Sequence, residues 1–215
     1  MRVLRVGPPS GRWRRRRVVL DGGVVLRVRA EDAEALGLEA GAELTAEAVR
    51  QLRARAEAAG ALEIALRLLT VRLRSRREVE DRLRRRRVAP EVIRDVVERL
   101  AAEGFLDDAR FARAWIAGRL ALRPSGALRL RGELLRKGVA PEVIETALRE
   151  AFSETDEYQL ALRLARARVR RYRAQPAEVV QRRLAGVLSR RGFSPEATAA
   201  ALRAVLGRML VTDGG

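Results

Sequence analysis

The chain of 215 residues contains no cysteine and no histidine. Those two absences exclude disulfides, zinc sites built on Cys or His ligands, cysteine nucleophiles and any catalytic triad with an imidazole base. Lysine is nearly absent as well, Lys137 being the single one, and aromatic residues amount to only 4%. That is sparse for the stacking platforms of dedicated single-strand binders. No window reaches the ~18 apolar residues of a membrane span, and Met1 to Ser10 lacks the apolar core of a signal peptide. A cytoplasmic protein without membrane attachment is expected.

What is abundant is arginine. Lys+Arg total 45 against 28 Asp+Glu, a formal net charge of +17 that attracts polyanions. Arginine's planar fork suits bidentate contacts to phosphate or carboxylate. Codon usage in a G- and C-rich genome accounts equally well for Arg over Lys, but not for the excess of positive over negative charge. The excess lies at the two ends: 9 basic and 1 acidic residue in 1–30, and 12 and 3 in 158–215. Residues 31–60 reverse the sign with 3 and 7.

Val18-Val19-Leu20 and Val24-Val25-Leu26-Arg27-Val28, separated by Asp21-Gly22-Gly23, predict a β-hairpin. A lone hairpin is marginal in water, so it should pack on helices predicted over Asp32 to Leu36 and Thr45 to Ala59, the second ended by Gly60. Beyond residue 60 an internal repeat dominates. Val88-Ala89-Pro90-Glu91-Val92-Ile93 recurs unchanged as Val139-Ala140-Pro141-Glu142-Val143-Ile144, and more loosely as Phe193-Ser194-Pro195-Glu196-Ala197-Thr198, at offsets of 51 and 54 residues. Each proline opens a helix with apolar residues at i, i+3 and i+4 spacing, as in Val92, Ile93, Val96, Val97 and Leu100. The preceding helix repeats too, Val79 and Leu83 matching Leu130 and Leu134, then Leu184 and Leu188. A further helix opens each unit, over Leu62 to Leu73, Ala109 to Leu122 and Glu157 to Arg173.

The expected fold is all-α, with three tandem three-helix repeats in an elongated row behind a small hairpin and short helices. The expected divisions are 1–60, 61–108, 109–156, 157–210 and a frayed tail, 211–215. Units of about 50 residues are marginal alone and should share buried surface with their neighbours. Most aromatics, Phe105, Phe111 and Trp115 among them, fall at core-facing helical positions.

The run Ala65-Leu66-Arg67-Leu68-Leu69-Thr70-Val71-Arg72-Leu73-Arg74-Ser75-Arg76-Arg77-Glu78-Val79 resembles the opening motif of the RecX family, regulators of the RecA recombinase. In order there follow Leu83, Gly104-Phe105-Leu106-Asp107-Asp108-Ala109-Arg110-Phe111-Ala112, Gly126, Leu130, Leu134 and Lys137-Gly138-Val139. Each element alone is an ordinary capped helix; their order and spacing carry the likeness, clear over 61–148 and weaker over 158–206. One departure is Arg87, where the other repeats have Gly138 and Gly192, which puts the first turn's left-handed geometry in question. A non-enzymatic, cofactor-free monomer is expected, with single-stranded DNA a candidate direct partner. The resemblance implies that it binds the RecA filament on single-stranded DNA and restrains its ATPase, strand-exchange and coprotease activities, in recombination, DNA repair and the SOS response.

Candidate contact residues are the arginines around Ser75, namely Arg72, Arg74, Arg76 and Arg77, and the cations at the repeated turns: Arg84, Arg85, Arg86, Arg136, Lys137, Arg190 and Arg191. The turn cations complement helix C-termini and read equally as a solvated face or as a binding edge. Arg12 and Arg14 to Arg17 around Trp13 read as a basic leader, disordered as readily as ordered, that adds non-specific polyanion affinity at most. Asp107 and Asp108 resemble the carboxylate pair of a metal nuclease, but their position before a helix calls for N-capping. The competing class is a basic helical DNA-binding or architectural protein; against it, the Pro-Glu helix starts would repel phosphate rather than read bases.

Overall fold

The computed structural model describes residues 1–172 and 175–212. It is mainly helical, with one small sheet, and divides into two compact units: Met1–Arg74 with Glu78–Leu106, and Ser75–Arg77 with Asp107 onward.

The first unit opens with strands β1 (Val3–Val6), β2 (Arg15–Leu20) and β3 (Val25–Arg29), antiparallel and in that order. The hairpin expected from the sequence is β2–β3. Two features differ from that expectation: β1 adds a third strand, and β2 begins at Arg15, so three arginines of the basic leader are ordered sheet. The physical reason is the period-two pattern. Val18, Leu20 and Val28 are buried on one face, Val3 of β1 joins them opposite Leu20, and Leu38, Val49 and Leu52 close the core.

Helix α1 (Ala30–Ala35) leads to α2 (Ala46–Val71), whose N-terminus is capped by the Thr45 hydroxyl accepting from the Ala48 amide at 3.1 Å. The expected break at Gly60 does not occur: α2 runs unbroken through it. One glycine costs a helix about 1 kcal/mol, and the alanines at 56, 58, 59 and 61 are the best helix formers. The continuous helix also reaches two cores, burying Val49 and Leu52 against the sheet and Ala61 and Ala65 against α3 (Arg76–Arg85) and α4 (Pro90–Ala102).

The second unit holds α5 (Asp108–Leu122), α6 (Ala127–Arg136), α7 (Pro141–Glu154), α8 (Glu157–Val169), α9 (Ala177–Arg190) and α10 (Pro195–Thr212). Pro90, Pro141 and Pro195 each start a helix, as the repeat predicts. The matched leucines Leu83, Leu134 and Leu188 are all fully buried, each worth about 1.5–3 kcal/mol of apolar transfer. Helix α10 extends through Val211 and Thr212, residues expected in the tail; the rest of that tail, 213–215, lies outside the described residues, as do 173–174. Phe105 corrects the core assignment of the aromatics, being 52% exposed, whereas Phe111 and Phe193 are buried.

Candidate partner-binding surface

The repeated turn has one geometry in all three copies. The residue in the left-handed conformation is Arg87 (φ 59°), Gly138 (φ 74°) or Gly192 (φ 75°). Its amide donates three residues back, to Arg84, Leu135 or Ser189, at 2.8–2.9 Å. The next amide, of Val88, Val139 or Phe193, reaches back to Leu83, Leu134 or Leu188 at 3.2–3.3 Å. Arg87 therefore adopts the glycine-like conformation despite its side chain.

Within the second unit two of these turns accept hydrogen bonds from distant segments. The Ser75 hydroxyl donates to the Lys137 carbonyl at 2.7 Å, and the Gly126 and Leu128 amides donate to the Arg191 and Gly192 carbonyls at 2.9 and 3.0 Å. A carboxylate at the start of a repeat's first helix completes each junction. Asp108 accepts from the Arg76 amide at 2.9 Å, while Glu157 accepts from Ala127 at 2.9 Å and Ser194 at 3.3 Å. Asp107 caps α5 by accepting from the Arg110 amide at 2.9 Å. The acidic pair is thus occupied by helix starts, and no group of metal-ligating side chains is found among the described residues.

The candidate cations fall into different situations. Arg72 grips Glu78 with both terminal nitrogens at 3.0 and 3.1 Å. Burial lowers the pKa of Arg74, and the like charges of Arg72 and Arg82 add to that effect, while Glu78 opposes it. Arg76 is exposed, and the stem of Arg77 lies against Gly138. Arg84 pairs along its own helix with Asp81 at 2.6 Å and Glu80 at 2.7 Å. Arg85, Arg86, Arg136 and Arg190 are exposed, whereas Arg191 is half-buried and gives its carbonyl to the junction with Gly126. Lys137 is half-buried, its ammonium 4.2 Å from the centre of the Trp115 ring.

Trp115 anchors a polar cluster. Its indole donates to Glu133 at 3.0 Å, and Arg119 lies 4.5 Å from the ring centre. Arg119 and Arg129 pair with Glu133 at 2.8 and 3.1 Å. Burial pushes the Glu133 carboxyl up, but hydrogen bonds from Arg129 and Trp115 and the charge of Arg119 hold it below its ordinary value.

Sequence reasoning passed over a further basic surface. On the sheet face away from Val18 and Val28, Arg15 stands directly opposite Arg29, and Arg17 opposite Arg27. The signal was the arginine alternation on two neighbouring strands, hidden by reading 12–17 as an arm.

Taken together, these features define a class: a basic, tandem three-helix-repeat protein, two of whose repeated turns are hydrogen-bonded to distant segments. Family models describing the first, second and third three-helix domains of RecX match residues 61–100, 107–148 and 154–202. Regulatory protein RecX of Mycobacterium avium (strain 104) is 40% identical over 153 residues, covering 70% of this chain and 83% of that protein. The one from Thermobifida fusca (strain YX) is 41% identical over 136 residues, covering 63% and 73%. The chain belongs to the RecX family.

A crystal structure of regulatory protein RecX superposes with a TM-score of 0.74 at 21% identity, covering 96% of this chain and 98% of that one. RecX from Lactobacillus salivarius gives 0.65 at 22% identity, covering 69% and 96%. The fold is therefore shared along nearly the whole chain. No helix among the described residues is long and apolar enough to cross a membrane.

Proposed function

We propose that this RecX-family chain is a non-enzymatic cytoplasmic regulator. It binds the RecA filament on single-stranded DNA and lowers its ATP hydrolysis, strand exchange and coprotease activity. The observation that carries this reading is the ordered match to all three RecX domains. The net charge of +17 suits a polyanionic partner, and the exposed Arg85, Arg86, Arg136 and Arg190 supply cations at the repeated turns. Arg72, Arg74, Arg76, Arg77, Arg84, Lys137 and Arg191 are the remaining candidate contacts of this reading. We assign the repeats to 61–108, 109–156 and 157–210, each acting as one binding module.

The test is RecA's DNA-dependent ATPase with this protein titrated from far below to equal molarity at fixed moderate salt. Inhibition at a small fraction of the RecA concentration supports filament-directed regulation. An effect seen only near saturation of the DNA, and removed by competitor DNA, overturns it in favour of a plain DNA-binding protein.

A further inference from the structure

The face of the N-terminal sheet away from Val18 and Val28 places like charges in direct register. Cross-strand neighbours sit close enough to interact, and equal charges directly opposite one another destabilise a sheet. The two pairs differ in how that repulsion is met. Arg29 is held by Asp32 at 3.0 Å and Glu31 at 2.6 Å, and Arg15 lies 3.4 Å from Glu63. Arg17 and Arg27 have no carboxylate within ion-pair distance among the described residues, and neither has Arg12 beside them.

The surroundings of Arg15 make the local field plain. Burial pushes its guanidinium pKa down, Glu63 pushes it up, and Arg27, Arg67 and Arg29 push it down again. Its Nη2 is buried without a hydrogen-bond partner among the described residues.

Trp13 lines two cavities beside this face. One, about 260 Å³, is lined by Arg12, Arg15, Arg17, Arg27 and Arg67 with Glu63 as its only acidic residue. The other, about 480 Å³, has Ala58, Ala59, Leu62, Leu66 and Val96 as its apolar part and a charged rim of four arginines with Glu63, Asp95 and Glu103. A partly apolar recess and a recess with more cations than its single carboxylate can pair thus both border Trp13.

We propose that this face is a single-stranded nucleic-acid site of the chain's own, in which a base stacks on Trp13 beside the partly apolar recess and the adjoining phosphates lie on Arg12, Arg17 and Arg27. Alternation of a π-surface with cations is the pattern that sequence-tolerant single-strand binders use. An acidic peptide would satisfy the arginines but leave the partly apolar recess and the indole unused. A duplex buries its bases and has none to offer Trp13. The site requires nothing of RecA, so it and the filament reading can fail separately.

The experiment is fluorescence anisotropy of the full chain with a labelled oligothymidylate of about twelve nucleotides, within the span of known single-strand sites, and no RecA present. Trp13→Ala is expected to weaken binding roughly five- to a hundredfold, and Trp13→Phe to restore most of it. Arg17→Gln with Arg27→Gln should weaken binding and reduce the salt slope by about one to two, since two phosphate contacts are lost. These two changes lie on the exposed side of the sheet and should also raise the melting temperature of the unliganded protein by removing the repulsion. An abasic phosphodiester chain should bind weakly and be indifferent to Trp13→Ala. Unchanged affinity in both Trp13→Ala and the arginine double variant overturns the proposal. So does competition by oligoglutamate equal to that by oligothymidylate, which would make the face an acidic-peptide site.

Discussion

Gly126 and Gly192 meet backbone to backbone: a Cβ on Gly126 would come 2.1 Å from the Gly192 carbonyl oxygen and 2.3 Å from the Phe193 Cα. Gly126 has an ordinary φ of −86°, so any side-chain effect there comes from packing alone. Gly126→Ala should destabilise the protein by about 3 kcal/mol through overpacking, whereas Gly118→Ala, with open space around its Cβ, should be neutral or stabilising. Urea unfolding midpoints of the two variants check this.

At Arg87 the prediction has the opposite sign. The residue is exposed and left-handed, and a glycine there would remove steric strain of about 1–2 kcal/mol while giving back part of it as chain entropy. Arg87→Gly should therefore raise stability modestly, by about 0.5–1 kcal/mol. Gly192→Arg, forced against the Arg129 backbone 2.3 Å away, should prevent that junction from forming.

Gly60 offers a test of the continuous helix. A Cβ there would meet the Arg15 guanidinium at 3.5 Å, an ordinary contact. Gly60→Ala should stabilise by up to about 1 kcal/mol, as in any helix interior, and Gly60→Pro should cost about 3 kcal/mol or more. A helix that ended at residue 60 would show neither response in thermal melts.

The Glu133 cluster links stability to acid. Its carboxyl titrates below its ordinary value in the folded protein, so the stabilisation is fully present above the unfolded value and lost as pH falls through the folded one. Stability measured from neutrality downward should drop below about pH 4.5, the range of an unperturbed carboxyl. Glu133→Gln should flatten that drop, and Glu133→Ala should cost about 1–2 kcal/mol at neutral pH by leaving the Trp115 indole without its acceptor and the half-exposed Arg119 and Arg129 without their partner.

Much of the repeat architecture is legible in the chain because its signals are local. Pro90, Pro141 and Pro195 mark helix starts through their own φ preference, and the apolar spacing after each marks the buried stripe. The ordered RecX-like motif is equally local. Strand β1 was missed because four residues around Leu4 and Arg5 carry little period-two contrast until Leu20 stands opposite Val3. The break at Gly60 was misplaced because a single residue's propensity, visible in sequence, is overridden by two cores that become visible only in three dimensions.

From the sequence alone follow the class of elements, the three-fold repetition, the strong positive charge and the exclusion of cysteine and histidine chemistry, since each depends on composition or on neighbours within a few turns. Tertiary structure alone decided which equivalent positions do different work. Gly138 and Gly192 are pressed by Arg77 and Arg129, while Arg87 keeps its side chain in solvent. Only strand pairing set Arg17 against Arg27 beside Trp13. Register and close approach join residues distant in the chain, and no local preference encodes the distance between them.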